Sequence, residues 1–153
     1  NAQKFALIDM AYIMENIPEF QQANEKLTVA SQQYQKAIEA KVKEAETLYT
    51  AYQKASSSLT AAQRTQKEEA IVAKEREAAD LRKKYFGPEG EMAQKEEALI
   101  APIQNRIYEA VKQISIQKGY DAVIDRASAT SIIFASPRID ISNEVLSKLG
   151  YSN

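Results

Sequence analysis

The feature that most constrains this chain is a stretch of helical pattern from Pro18 to Ala55 with no glycine and no internal proline. Two series of side chains recur in it every seven residues, the first at Phe20, Leu27, Tyr34, Lys41, Leu48 and Ala55, the second at Ile38, Ala45, Tyr52 and Leu59. This spacing is typical of a heptad seam, although Lys41 interrupts it, and Asn24 and Ser31 begin the second series. Such a helix would measure about 55 Å, too long for a compact domain of this size, so we expect it to project.

A second helical stretch is predicted to run back along the first. Serines at 56–58 favour a turn, and Thr60 with Gln63 forms a capping-box pattern that starts a helix reaching Phe86. The short tip, near residues 56–60, implies an antiparallel helical hairpin. A Gly-Pro-Glu-Gly break at residues 87–90 interrupts the return helix, and a tip centred near Ser58 places this break opposite residues 26–29. The helix then resumes toward Lys118, and Pro102 is expected to kink it or to start a new helix.

Short strands are predicted on both sides of the hairpin, at Lys4–Met10, Tyr120–Asp125 and Ser131–Ala135, and the last two are expected to pair with each other. Ser142 is expected to cap a short C-terminal helix. We therefore predict an α+β fold, mostly α, in which a long antiparallel helical hairpin is inserted between N- and C-terminal strands. Residues 1–20 and 101–153 would form a stranded oligomerisation body, and residues 21–100 the arm.

The composition excludes several classes of chemistry. The chain has no Cys, no His and a net charge of −1, so thiol catalysis, a His-based triad and a general attraction to nucleic acid are not expected. Neighbouring glutamates occur at 68–69, 75 and 77, and 96–97, on predicted surface helices among Lys and Arg, which favours solvated faces over an acid–base pair. We predict that the protein is not an enzyme and has no cofactor, no metal and no nucleic-acid partner.

The predicted body is small for an independent domain. About 70 residues bury little surface, and short strands leave exposed sheet edges, so we expect the body to be completed by oligomerisation. The candidate interface residues are apolar side chains of the predicted strands: Phe5, Leu7, Ile8, Val123, Ile124, Ile132 and Phe134.

Three motifs resemble the Skp/OmpH family of periplasmic chaperones: Phe5–Met10 (FALIDM), Gly119–Asp125 (GYDAVID) and Ile139–Leu149 (IDISNEVLSKL). With the order of elements, the resemblance covers essentially the whole chain. It implies a homotrimer in which strands of three protomers form a central body, while three hairpins project as tentacles around a cavity. It also implies a mature periplasmic protein, after removal of a signal peptide, that holds unfolded outer-membrane β-barrel proteins in the cavity without ATP. A carrier of this kind would come transiently near a membrane surface.

Under this interpretation, some side chains of the arm are candidate client contacts: Tyr34, Tyr49, Tyr52, Tyr85, Phe86 and Met92. An aromatic ring with a polar end suits varied clients, although Tyr34 and Tyr52 also fall on the seam, where core packing is the alternative. Gly87, Pro88 and Gly90 form a candidate hinge that lets the arm splay. The alternative is an insertion that corrects the heptad phase.

The function predicted from the sequence is that of an ATP-independent holdase chaperone that binds unfolded outer-membrane proteins and prevents their aggregation. The alternative is a structural or adaptor coiled-coil protein that binds one specific folded partner. A surface-associated amphipathic helix protein is a third interpretation.

Overall fold

A computed structural model describes residues 2–151 of the chain. Its elements are β1 (Phe5–Ile8), α1 (Met10–Glu15), α2 (Pro18–Ala55), a 3-10 turn (Ser56–Ser58), α3 (Ala61–Phe86), α4 (Glu91–Lys118), β2 (Ala122–Asp125), a second 3-10 turn (Pro137–Ile139) and α5 (Ser142–Lys148). They form two compact units. The body unit holds the chain up to Glu25 and from Glu97 onward, and the arm unit is Lys26–Glu96. The predicted α+β class, mostly helical with a hairpin between N- and C-terminal strands, is confirmed.

Local sequence signals fix where the helices begin. The Asp9 carboxylate accepts a hydrogen bond from the backbone N–H of Tyr12 at 3.1 Å and caps α1. Pro18 opens α2, where its missing N–H costs nothing. The predicted capping box at the start of α3 is present in both directions, at 3.1 Å from Gln63 N to Thr60 Oγ1 and at 3.0 Å from Thr60 N to Gln63 Oε1.

The body unit is built on a parallel pair of strands. β1 and β2 pair in parallel, from Phe5 with Ala122 to Ile8 with Asp125. Because side chains alternate across a strand, Ala6, Ile8 and Val123 face a core made with α1, α4 and α5. The largest fully buried side chains of that core are Ile13, Ile17, Ile107, Val145 and Leu146.

The predicted third strand at Ser131–Ala135 is wrong. Within residues 2–151 the sheet has two strands, and residues 131–135 carry no strand pairing. Ile133 is 97% exposed and Phe134 84% exposed. The chain turns away after β2 because Asp125 accepts hydrogen bonds from the backbone N–H groups of Ala127 and Ala129. On the free side of β1, Leu7 forms a parallel bridge with Asp140 instead.

Of the two outcomes predicted at Pro102, a kink or a new helix, the new helix is wrong, and the cap predicted at Ser142 is wrong as well. α4 continues through Pro102, so no new helix begins there. Ser142 is not the cap of α5: Ile141 occupies the cap position, and Ser142 is buried in the first turn. Its hydroxyl accepts from the N–H of Asp9 at 2.9 Å, which joins α5 to the end of β1. The carboxylate of Asp140 accepts from the Ser142 N–H at 2.9 Å instead.

The arm unit is an antiparallel helical hairpin. Ile38 and Ala45 of α2 are buried, as the heptad pattern predicts. Ile71 and Ala78 of α3 are buried with the same spacing of seven residues. The tip is completed by the Arg64 guanidinium, which donates to the carbonyl of Ser56 at 2.9 Å. The hairpin therefore has a narrow apolar seam with charged side chains on either side.

Candidate functional site

An aromatic cluster marks one end of the arm unit. The rings of Tyr34 and Tyr85 stack with centroids 4.2 Å apart and planes within 7°, and Phe86 meets Tyr34 edge-on at 6.2 Å. Burial of the Tyr34 hydroxyl, and after it a hydrogen bond to Glu91, raises the pKa of Tyr34. Three of the predicted client contacts therefore pack on one another, and of these only Phe86 is exposed, to 42%.

This cluster corrects the predicted register of the hairpin. A tip centred at Ser58 would pair Tyr34 with Arg82, whereas Tyr34 stacks on Tyr85. The shift arises because Leu59 and Thr60 are extended residues outside both helices, which moves the centre of the tip along the chain. With Tyr34 opposite Tyr85, the break at residues 87–90 lies opposite residues 29–32 of α2, about three residues farther along than predicted.

The predicted hinge is a closely packed turn. The N–H of Gly87 donates to the carbonyl of Lys83 at 3.0 Å, and the N–H of Gly90 donates to the carbonyl of Gly87 at 2.9 Å. A Cβ on Gly87 would lie 2.4 Å from the Lys83 carbonyl oxygen, and one on Gly90 2.8 Å from that of Lys84. Glycine is required at both positions by close backbone approach. Pro88 is exposed between them.

The remaining candidate contacts are in different environments. The Tyr52 hydroxyl donates to the Glu68 carboxylate at 2.5 Å, and this hydrogen bond raises the pKa of Tyr52. Tyr49 is 51% exposed, and its hydroxyl accepts from the Gln53 amide at 3.1 Å. Met92 is half-buried at the start of α4. Tyr49 and Phe86 are thus the candidates with the most freely accessible rings.

Four charged side chains of the arm form a closed set of ion pairs, the Lys–Glu ring, which was not predicted from the sequence. Lys41 lies 3.6 Å from Glu44 and 3.4 Å from Glu77, and Lys74 lies 3.2 Å from Glu44 and 3.3 Å from Glu77. Hydrogen bonds from Lys74 lower the pKa of both carboxyl groups. The signal was a Lys-x-x-Glu spacing at 41–44 and again at 74–77, which antiparallel pairing brings face to face. Lys41, which interrupts the predicted seam, is therefore one of its cross-links.

The candidate interface residues of the body unit fall into two groups. Leu7 and Ile8 are buried by the chain itself, and Val123 and Ile132 are half-buried. Phe5, Ile124 and Phe134 are exposed. The parallel register places Phe5 and Ile124 on the same face of the sheet, opposite the face that meets the core. Phe5 and Ile124 therefore present apolar side chains to solvent on that face, while Leu7 between them is buried.

Two other kinds of feature are absent from the part of the chain that the structure describes. Residues 2–151 contain no group of three or more carboxylates placed to hold a metal ion. Within the same residues, no helix combines the length and the apolar character needed to cross a membrane.

A helical hairpin inserted between two parallel-paired strands defines the structural class of this chain, and comparison with known proteins gives its family. The chain belongs to the family described as Outer membrane protein (OmpH-like), which matches residues 4–149. It is 27% identical over 148 residues to the Chaperone protein Skp of Yersinia enterocolitica, across 97% of this chain and 87% of that protein. The predicted family is thereby confirmed.

A solved structure has the same fold. It is described as a putative outer membrane chaperone (OmpH-like) from Caulobacter crescentus CB15. It superposes with a TM-score of 0.73 at 12% identity, over 97% of this chain and 85% of that one. At this identity the likeness concerns the fold alone.

Proposed function

We propose that the protein is an ATP-independent holdase chaperone of the periplasm that binds unfolded outer-membrane β-barrel proteins between its helical arms and prevents their aggregation. The observation that carries the proposal is the family match over residues 4–149, which includes the complete hairpin. The relative from Yersinia enterocolitica is itself named a chaperone and aligns with 97% of this chain.

The surface of the arm unit is consistent with this activity. Its exposed large apolar residues are Val29, Tyr49, Val72 and Phe86, each set among charged side chains. An unfolded β-barrel protein offers apolar side chains and unpaired backbone groups along its whole length. Several weak contacts within a confined space would retain such a chain through effective concentration, without a sequence-specific site.

The proposed assembly is a homotrimer in which the body units join. Phe5 and Ile124 form an apolar sheet face, Ile133 and Phe134 are exposed, and among residues 2–151 the outer edge of β2 has no partner strand. Size-exclusion chromatography with multi-angle light scattering is expected to give three times the 17.1 kDa chain mass. The double variant Ile133→Ser/Phe134→Ser should shift the mass toward one chain, whereas Val72→Ser on the arm should not. A monomeric wild-type protein at micromolar concentration would contradict the assembly.

Gly87, Pro88 and Gly90 are retained in this proposal as the hinge of each arm. The closed turn would be the resting conformation, and its opening would let the arms splay around larger clients. Spin labels on Ser57→Cys in the assembled protein would report tip-to-tip distances. A single narrow distance distribution, unchanged by client, would exclude the hinge.

The test of function is aggregation of an unfolded outer-membrane β-barrel protein diluted from urea, followed by light scattering with and without the protein. Suppression at a near-stoichiometric ratio of assembly to client, without nucleotide, is the expected result. An unchanged scattering curve would refute the holdase. Suppression of only one folded partner's aggregation, with none for unfolded clients, would support the adaptor interpretation.

A further inference from the structure

The two sides of the hairpin seam differ in character. On one side, the charges of Lys41, Glu44, Lys74 and Glu77 bridge α2 and α3. On the other side, two adjoining recesses share Arg82 as a lining residue. We call these recesses together the open groove. Its floor is formed by Ile38, Val42, Ala45 and Ala78, and its ends by Phe86 and Tyr49.

The floor of the open groove is apolar, and its two alanines leave space between the helices unfilled. Ala45 and Ala78 are buried on opposite helices, so two methyl groups lie where longer side chains would fill the space. Phe86 is 42% exposed at one end and Tyr49 is half-exposed at the other. The helix from Gln35 to Tyr49 rises about 20 Å, which matches an extended peptide of roughly six residues at 3.3 Å each.

The rim of the open groove has an excess of negative charge. Glu39, Glu46 and Glu75 line it, against the single cation Arg82. None of these four side chains takes part in an ion pair found within residues 2–151. The Lys–Glu ring on the other side of the seam has its charges mutually paired. The carboxylates of the groove are therefore available to an incoming cation.

We propose that the open groove binds a short apolar segment of an unfolded chain that carries Lys or Arg beside its apolar residues. This proposal rests on the holdase function and names the client segment that the arm selects. The alanine floor and the aromatic ends would take alternate apolar side chains, and Glu46 and Glu75 would attract the flanking cations. The same face of a second copy would bring a second set of carboxylates, and an anionic membrane would meet the carboxylates of the rim.

The test uses the full-length protein and two labelled peptides in fluorescence anisotropy at low salt. Both peptides contain six residues with alternating Leu and Ser, flanked by two Lys at each end in one and by two Glu in the other. The Lys-flanked peptide is expected to bind at least about fivefold more tightly, with the difference shrinking in 0.5 M salt.

Two charge variants assign that preference to the groove. Glu46→Lys/Glu75→Lys should remove or invert it. Glu69→Lys/Glu96→Lys makes the same change in net charge at exposed positions outside the groove and should leave most of it. Urea denaturation of both variants checks that the hairpin is still folded.

Equal binding of the two peptides would overturn the proposal, as would equal losses in the two variants. A change in oligomeric mass caused by Glu46→Lys/Glu75→Lys alone would also overturn it, because the occupant would then be a second copy. The light-scattering assay separates this outcome from the function. Suppressed aggregation without a peptide preference refutes the groove and leaves the holdase standing. A peptide preference that depends on the groove, without suppressed aggregation, refutes the holdase and leaves the groove standing.

Discussion

Replacing Gly87 by alanine should destabilise the arm unit by a predictable amount. The added Cβ would lie 2.4 Å from the Lys83 carbonyl oxygen, where ordinary contact begins at 3.4 Å, so backbone atoms must separate by about 1 Å. Such a clash in a packed region costs about 1–3 kcal/mol, and opening the turn also weakens the Gly87-to-Lys83 hydrogen bond, worth about 0.5–1.5 kcal/mol. We therefore expect a loss of about 2–4 kcal/mol in the free energy of unfolding.

Urea denaturation followed by far-UV circular dichroism measures this loss. With an m-value of about 2 kcal/mol per molar, the midpoint of the arm transition should fall by roughly 1–2 M. Glu89→Ala is the matched control, because the Glu89 side chain is exposed in the same turn, and it should change the free energy by less than about 0.5 kcal/mol. If Gly87→Ala and Glu89→Ala have the same midpoint, the turn is not closely packed and the reasoning fails.

Three further predictions concern other parts of the chain. Thr60→Ala removes the capping box of α3 and should cost about 1 kcal/mol in urea denaturation, with Thr50→Ala, an exposed threonine in the interior of α2, as the comparison; equal losses would contradict a capping role. Ile107→Ala empties a fully buried position of the body core and should cost about 2–5 kcal/mol, against a much smaller effect of Ile116→Ala at an exposed position of the same helix. Because Lys74 lowers the folded-state pKa of Glu44 and Glu77, their contribution to stability is present above the unfolded value of 4.5 and is lost as the pH falls through the folded pKa. The urea midpoint at low salt should therefore fall below pH 4.5, and Glu44→Gln/Glu77→Gln should flatten this pH dependence; a parallel curve for the variant would refute it.

The sequence predicted those features that depend on neighbours a few residues apart. The helices, the capping box at Thr60 and the burial of Ile38 and Ala45 follow from side chains one or two helical turns apart. Such signals lie within one segment of the sequence, so they can be recognised without knowing which segments pack together.

Features that depend on distant partners were predicted less well. Ser131–Ala135 has the composition of a strand, but a strand also requires a neighbour, and the chain places Asp140 rather than this segment beside β1. The hairpin register depended on whether Leu59 and Thr60 continue a helix, which their composition does not decide. The open groove depends on that register as well, because it is lined by residues of both helices.

The parallel pairing of β1 with β2 has a consequence for the order of folding. Phe5 pairs with Ala122, so β1 is synthesised first but can pair only after most of the chain has been synthesised. The contacts of the arm unit join residues that are much closer in sequence, such as Tyr52 with Glu68 and Glu44 with Lys74. Local contacts form sooner, and a folded hairpin shortens the effective loop that the strands must close. We therefore expect the hairpin to form first and the body core last, so that β1 stays an unpaired apolar segment throughout synthesis.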